Sequence, residues 1–181
     1  LLSYARLGWG AAEGELLAAA LACAQRMDTA VAAERLIIFE NNLGTAGVRA
    51  IGKVIEAGAL PRLKILTLGN TAIGDAGLVA LAPALRRRPA LEYLSLNVNP
   101  LGDEGLAALV APPPPAGTPP PPAGGLKKLR WLDLACTKIS DAGCATLAAA
   151  LSSGALPALG HLGLCSIPAS AAAKEAVHDA V

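Results

Sequence analysis

The side chains that could carry chemistry are few and do not converge. Cysteines stand at Cys23, Cys136, Cys144 and Cys165, and histidines at His161 and His178. No two cysteines form a C-x-x-C pair, and neither histidine lies at metal-ligand spacing from them, so no metal cage is expected. Free thiols in a reducing, cytoplasmic setting are the expectation. Neither histidine has a nucleophile at a spacing that would make it a general base. Asp75, Asp103 and Asp141 recur in one fixed context, which suits helix capping better than catalysis. The chain carries no G-x-x-x-x-G-K-[ST], no H-E-x-x-H and no G-x-S-x-G. These residues predict a protein that is not an enzyme and uses no cofactor.

The context in which the aspartates recur is a repeat. Leu63-Lys64-Ile65-Leu66-Thr67-Leu68 reads L-x-x-L-x-L, and the pattern returns at 91–96, 129–134 and 159–164, with a weaker copy at 33–38. The second apolar position falls at 36, 66, 94, 132 and 162. The long step from 94 to 132 holds a proline-rich insertion, and removing about ten residues there restores a period in the range of leucine-rich repeats. A second motif keeps the same phase. Ile73-Gly74-Asp75-Ala76-Gly77-Leu78 matches 101–106 and 139–144, and Leu43-Gly44-Thr45-Ala46-Gly47-Val48 is the fourth copy.

Each unit reads as strand, turn and helix. The L-x-x-L-x-L segment ends in an alternating strand with its leucines on the core face. Asn41, Thr71, Asn99 and Thr137 follow three residues later, where a polar side chain can bond backbone groups as the chain leaves the strand. Thr45, Asp75, Asp103 and Asp141 are expected as N-caps, with helices starting near them. Gly47, Gly77, Gly105 and Gly143 are expected to let neighbouring helices approach closely. One such unit cannot bury its apolar face alone, whereas stacked units share a continuous core.

The L-x-x-L-x-L-x-x-N and I-G-D-x-G-L-x-x-L segments resemble the ribonuclease-inhibitor-like class of leucine-rich repeats, over roughly 33–167. The resemblance implies an α/β horseshoe with a parallel inner sheet and outer helices, and protein binding on the concave face. The same class occurs in NOD-like receptors and Ran GTPase-activating proteins. A GTPase-activating regulator is therefore the alternative to a protein-interaction scaffold, by analogy of fold alone. Residues 1–32 are expected to form a degenerate N-terminal repeat or cap, 33–167 the repeats, and 168–181 a C-terminal capping helix. Five parallel strands are expected. The chain starts at Leu1 and shows no secretory signal pattern, which suggests a fragment or processed product.

In the strands, the residues between the leucines face away from the core and stand in columns. One column holds Glu34, Lys64, Glu92, Arg130 and Gly160. The next holds Arg35, Ile65, Tyr93, Trp131 and His161, and a third Ile37, Thr67, Ser95, Asp133 and Gly163. The sequence has five aromatic residues, and two of them, Tyr93 and Trp131, fall side by side. Arg35, Ile65, Glu92, Tyr93, Arg130, Trp131, Asp133 and His161 are thus the candidate protein-binding residues, with the two rings as anchors. The alternative is that the rings only shield the sheet.

The remaining features are weaker. The insertion at 111–125, A-P-P-P-P-A-G-T-P-P-P-P-A-G-G, favours polyproline II and reads first as a solvated loop, second as a ligand for an SH3, WW or profilin-type domain. A net charge of +1 provides no overall field for nucleic acid or anionic membrane. Arg86, Arg87 and Arg88 follow an apolar helical stretch, where cations suit a helix C-terminus. The apolar run 16–24 is too short to span a bilayer, and the uncharged stretch 142–173 is broken by glycine and proline, so no membrane partner is expected.

Overall fold

The computed structural model describes residues 1–27, 32–88, 90–110 and 125–181. Six strands and six helices alternate: β1 (Leu2–Ser3), α1 (Ala11–Arg26), β2 (Arg35–Ile37), α2 (Gly44–Glu56), β3 (Ile65–Thr67), α3 (Asp75–Arg86), β4 (Tyr93–Ser95), α4 (Asp103–Val110), β5 (Trp131–Asp133), α5 (Asp141–Ser152), β6 (His161–Gly163) and α6 (Ala171–His178). The strands form one parallel sheet in sequence order. The five expected strands are present, and β1 adds a sixth. The helices start where the repeat places them, at Gly44, Asp75, Asp103 and Asp141. The proline-rich insertion lies outside the described residues apart from Gly125.

Register explains why the sheet holds. Leu2, Leu36, Leu66, Leu94, Leu132 and Leu162 are consecutive cross-strand partners. Leu36, Leu66, Leu94 and Leu132 are completely buried, together with Leu78, Leu81, Leu85 and Leu106 from the helices. The core is therefore almost wholly aliphatic. The exception is the first unit, where Tyr4 and Trp9 stack with ring centroids 4.7 Å apart and pack partly buried against the core.

The asparagines that follow β2 and β4 act as staples between units. Asn99 is 2% exposed and donates from Nδ2 to the carbonyls of Leu96 (2.9 Å) and, in the preceding unit, Leu68 (2.7 Å). Its Oδ1 accepts from the backbone N–H groups of Thr71 and Ile73. Asn41 repeats the pattern one pair earlier, reaching the carbonyls of Ile38 and Tyr4 and the amides of Leu7 and Trp9. Thr71 and Thr137 are too short to reach back. Their hydroxyls donate within their own unit, to Leu68 and Leu134.

The aspartates do not act as expected. Asp75, Asp103 and Asp141 are the first residues of their own helices, and each caps the helix of the next unit. Asp75 Oδ1 accepts from the N–H groups of Gly102 (2.6 Å) and Gly105 (3.0 Å). Asp103 accepts from the N–H and hydroxyl of Ser140, and Asp141 from the N–H of Ser170. A carboxylate at a helix N-terminus is doubly favoured, by hydrogen bonding and by the helix dipole. This contact requires glycine: a Cβ at Gly143 would sit 2.2 Å from Asp103 Oδ1, and one at Gly105 2.8 Å from Asp75 Oδ1. In α1, which has no aspartate ahead of it among the described residues, Glu13 caps its own helix by accepting from Gly10 N–H at 2.8 Å. That bond holds the Glu13 carboxyl below the usual glutamate value.

The basic run at the end of α3 binds neighbouring helix ends. Arg88 donates to the carbonyl of Ile55 in α2, Arg86 to that of Ala108 in α4, and Arg87 pairs with Glu56 at 3.0 Å. These are carbonyls of last helical turns, where cations are favoured.

Candidate protein-binding face

The sheet register builds the candidate site directly. Arg35, Ile65, Tyr93, Trp131 and His161 are successive cross-strand partners, so all five stand in one row on the strand face that the core does not use. Parallel strands about 4.8 Å apart put such neighbours in ring-stacking range. Tyr93 and Trp131 stack with centroids 5.7 Å apart and planes 22° apart, and Trp131 and His161 stack at 4.6 Å and 30°. The result is a three-ring stack across β4, β5 and β6. Sequence columns predict the adjacency of Tyr93 and Trp131. The tighter contact of His161 on the other face of the indole needs the side-chain geometry.

Trp131 is sandwiched between two rings and still 41% exposed. Its faces are covered, so the stack presents ring edges to solvent as a rigid ridge. Burial raises the phenol pKa of Tyr93, and the nearby Asp133 carboxylate adds to the shift. Asp133 lies in the adjoining row, paired in register with Ser95 and Gly163, and its Oδ1 accepts from Ala135 N–H at 3.1 Å. A Cβ at Gly163 would lie 2.5 Å from that oxygen, so Asp133 leans over β6. Ser3 extends this row onto β1 through its pairing with Ile37, a position the sequence columns did not include.

On the other side of the rings runs a row of alternating charge. Glu34 and Lys64 form an exposed ion pair at 2.8 Å. The pair lowers the Glu34 pKa and raises that of Lys64, and the more distant Glu92 reinforces the latter. Arg35, Glu92, Arg130 and Asp133 form no ion pair among the described residues. All eight candidate residues therefore lie on or beside one sheet face. An open hollow of 490 Å³ lies elsewhere, among the loops that leave the first four strands, lined by Glu40, Asn42, Asn70 and Val98 among others. Among the described residues no three His, Cys, Asp or Glu side chains gather as a metal site, and no helix is long and apolar enough to cross a membrane.

A leucine-rich-repeat family model matches residues 60–82, 89–110 and 125–148, three consecutive units of this sheet. Ribonuclease inhibitor from Sus scrofa is 40% identical over 76 residues, which cover 41% of this chain and 16% of that protein. The chain is a leucine-rich-repeat protein. Its repeats are of the ribonuclease-inhibitor-like class, with the parallel sheet and outer helices of an α/β solenoid. The matched part spans about one sixth of the inhibitor's length.

Proposed function

We propose that this leucine-rich-repeat protein is a binding module that takes a protein partner on the exposed face of its sheet, anchored by the Tyr93–Trp131–His161 stack. The observation that carries the reading is an indole wedged between two rings yet 41% exposed. Aromatic rings held rigid on strands lose little conformational entropy on contact, and Tyr and Trp are frequent interface anchors. Glu92, Arg130, Arg35 and Asp133, which form no ion pair among the described residues, supply mixed charge around the stack that favours specificity over raw affinity. Ile65 continues the row as an apolar contact.

The reading is tested by affinity capture with the chain, followed by calorimetry on the recovered partner. A ribonuclease is the first defined protein to assay, because the matching relative is named as an inhibitor of that class. Replacing Tyr93 and Trp131 together by Ala weakens binding by about 2 kcal/mol or more without unfolding the chain. Unchanged affinity in the folded double variant moves the site to another surface.

A further inference from the structure

Two of the exposed thiols are brought together at the last two units of the solenoid. Cys136 follows β5 and Cys165 follows β6, and the backbone N–H of Cys136 donates to the carbonyl of Cys165 at 2.8 Å. Both side chains are exposed, whereas Cys144 is buried in α5. With strands about 4.8 Å apart and one residue of offset along the chain, the two Cα atoms lie about 6 Å apart. That separation is inside the window of roughly 4.4–6.8 Å that a disulfide spans.

An equivalent pair in the first unit shows that side chains at these two positions can meet. Arg6 and Phe39 occupy the same two positions, with the same N–H to carbonyl bond between adjacent units, at 3.2 Å. Arg6 shares the left-handed backbone of Cys136, with φ of 57° against 55°. There the two side chains meet, the Arg6 guanidinium lying 5.3 Å from the centre of the Phe39 ring. Cys136 and Cys165 occupy this same pair of positions on adjacent units, and both thiols are exposed.

We propose that Cys136 and Cys165 are a dithiol modification site that a small-molecule disulfide oxidises to an intramolecular bond joining the last two units. One thiolate attacks a sulfur of the small disulfide, forming a mixed disulfide and releasing one small thiol. The second thiolate attacks the protein-side sulfur of that intermediate and releases the second small thiol. The protein loses two hydrogens, and the small disulfide is reduced to two thiols. The step needs no rearrangement of the sheet, since both residues stand beyond the ends of β5 and β6.

The test uses the whole chain carrying Cys23→Ser, which removes the remaining exposed thiol. The protein is incubated with oxidised glutathione and analysed by intact mass and peptide mapping. The expected product has lost two hydrogens, retains no glutathione, and yields a linked peptide pair containing Cys136 and Cys165. Adding Cys136→Ser leaves Cys165 carrying one glutathione that is not released. The proposal is overturned if the Cys23→Ser protein keeps glutathione on both cysteines, if neither reacts, or if the bond formed involves Cys144. Circular dichroism of each variant before treatment confirms that the readout concerns the folded chain.

Discussion

Asn99 offers the sharpest test of how the units are held together. Replacing it by Ala removes the oxygen that accepts from Thr71 N–H (3.1 Å) and Ile73 N–H (2.9 Å), in residues that are themselves fully buried. It also removes the donor to Leu96, while the Leu68 carbonyl keeps the Thr71 hydroxyl at 2.6 Å. Two orphaned buried amides at about 1–3 kcal/mol each set a cost of roughly 2–6 kcal/mol. Thr137→Ala is the control, because its hydroxyl serves the Leu134 carbonyl alone, and its loss costs about 1 kcal/mol. Urea unfolding followed by far-ultraviolet circular dichroism measures both, with an unchanged m-value as the condition for comparing them. Hydrogen exchange should report lost protection at the amides of Thr71 and Ile73. A cost for Asn99→Ala within about 1 kcal/mol of that for Thr137→Ala would refute the idea that asparagine ties one unit to the one before it.

Two further outcomes follow from the geometry. Val98 is a β-branched residue held at φ 54° and 47% exposed, in the position that Asn70 fills at φ 50° one unit earlier. Val98→Asn should stabilise the chain by about 1 kcal/mol in the same urea assay, and a loss of stability would show that Val98 makes a contact worth more than its strain. Tyr93 should ionise above the ordinary phenol value of 10.0, because burial and Asp133 both oppose the phenolate. A group whose pKa is raised on folding contributes stability below its ordinary value and loses it as pH rises through the raised one. With Tyr4 replaced by Phe, phenolate absorbance should show a midpoint above 10.0 that falls but stays raised in Asp133→Asn; a midpoint at or below 10.0 would contradict the packing described.

Strand and helix positions were readable because two motifs share one phase. Leucine fills the same buried place in units that otherwise differ, as Leu66, Leu94 and Leu132 do. The first unit was hard to read because aromatics replace aliphatics there. Tyr4 stands where Ile38 and Leu68 stand in the next two units, Trp9 where Leu43 and Ile73 do, and Leu7 where a staple residue is expected. The leucine pattern disappears while the fold continues. The aspartates were misassigned for a different reason. A carboxylate at the first helical residue fits capping in general, but which helix it caps depends on the spacing of neighbouring units, and sequence does not carry that distance. Within the candidate site, the rows followed from strand alternation alone. The stacking of His161 on Trp131, which makes the ring ridge, depends on rotamers that alternation leaves open.

Trp131 can report on the binding face itself. The sequence has two tryptophans, so a Trp9→Phe variant leaves Trp131 as the single indole emitter. Fluorescence of that variant, with acrylamide as quencher, is measured while a captured protein partner is added to saturation. Docking across the ring stack predicts a blue-shifted emission and a severalfold loss of quencher access to the indole, which is 41% exposed in the free chain. Saturation by the partner with emission and quenching both unchanged would contradict the account.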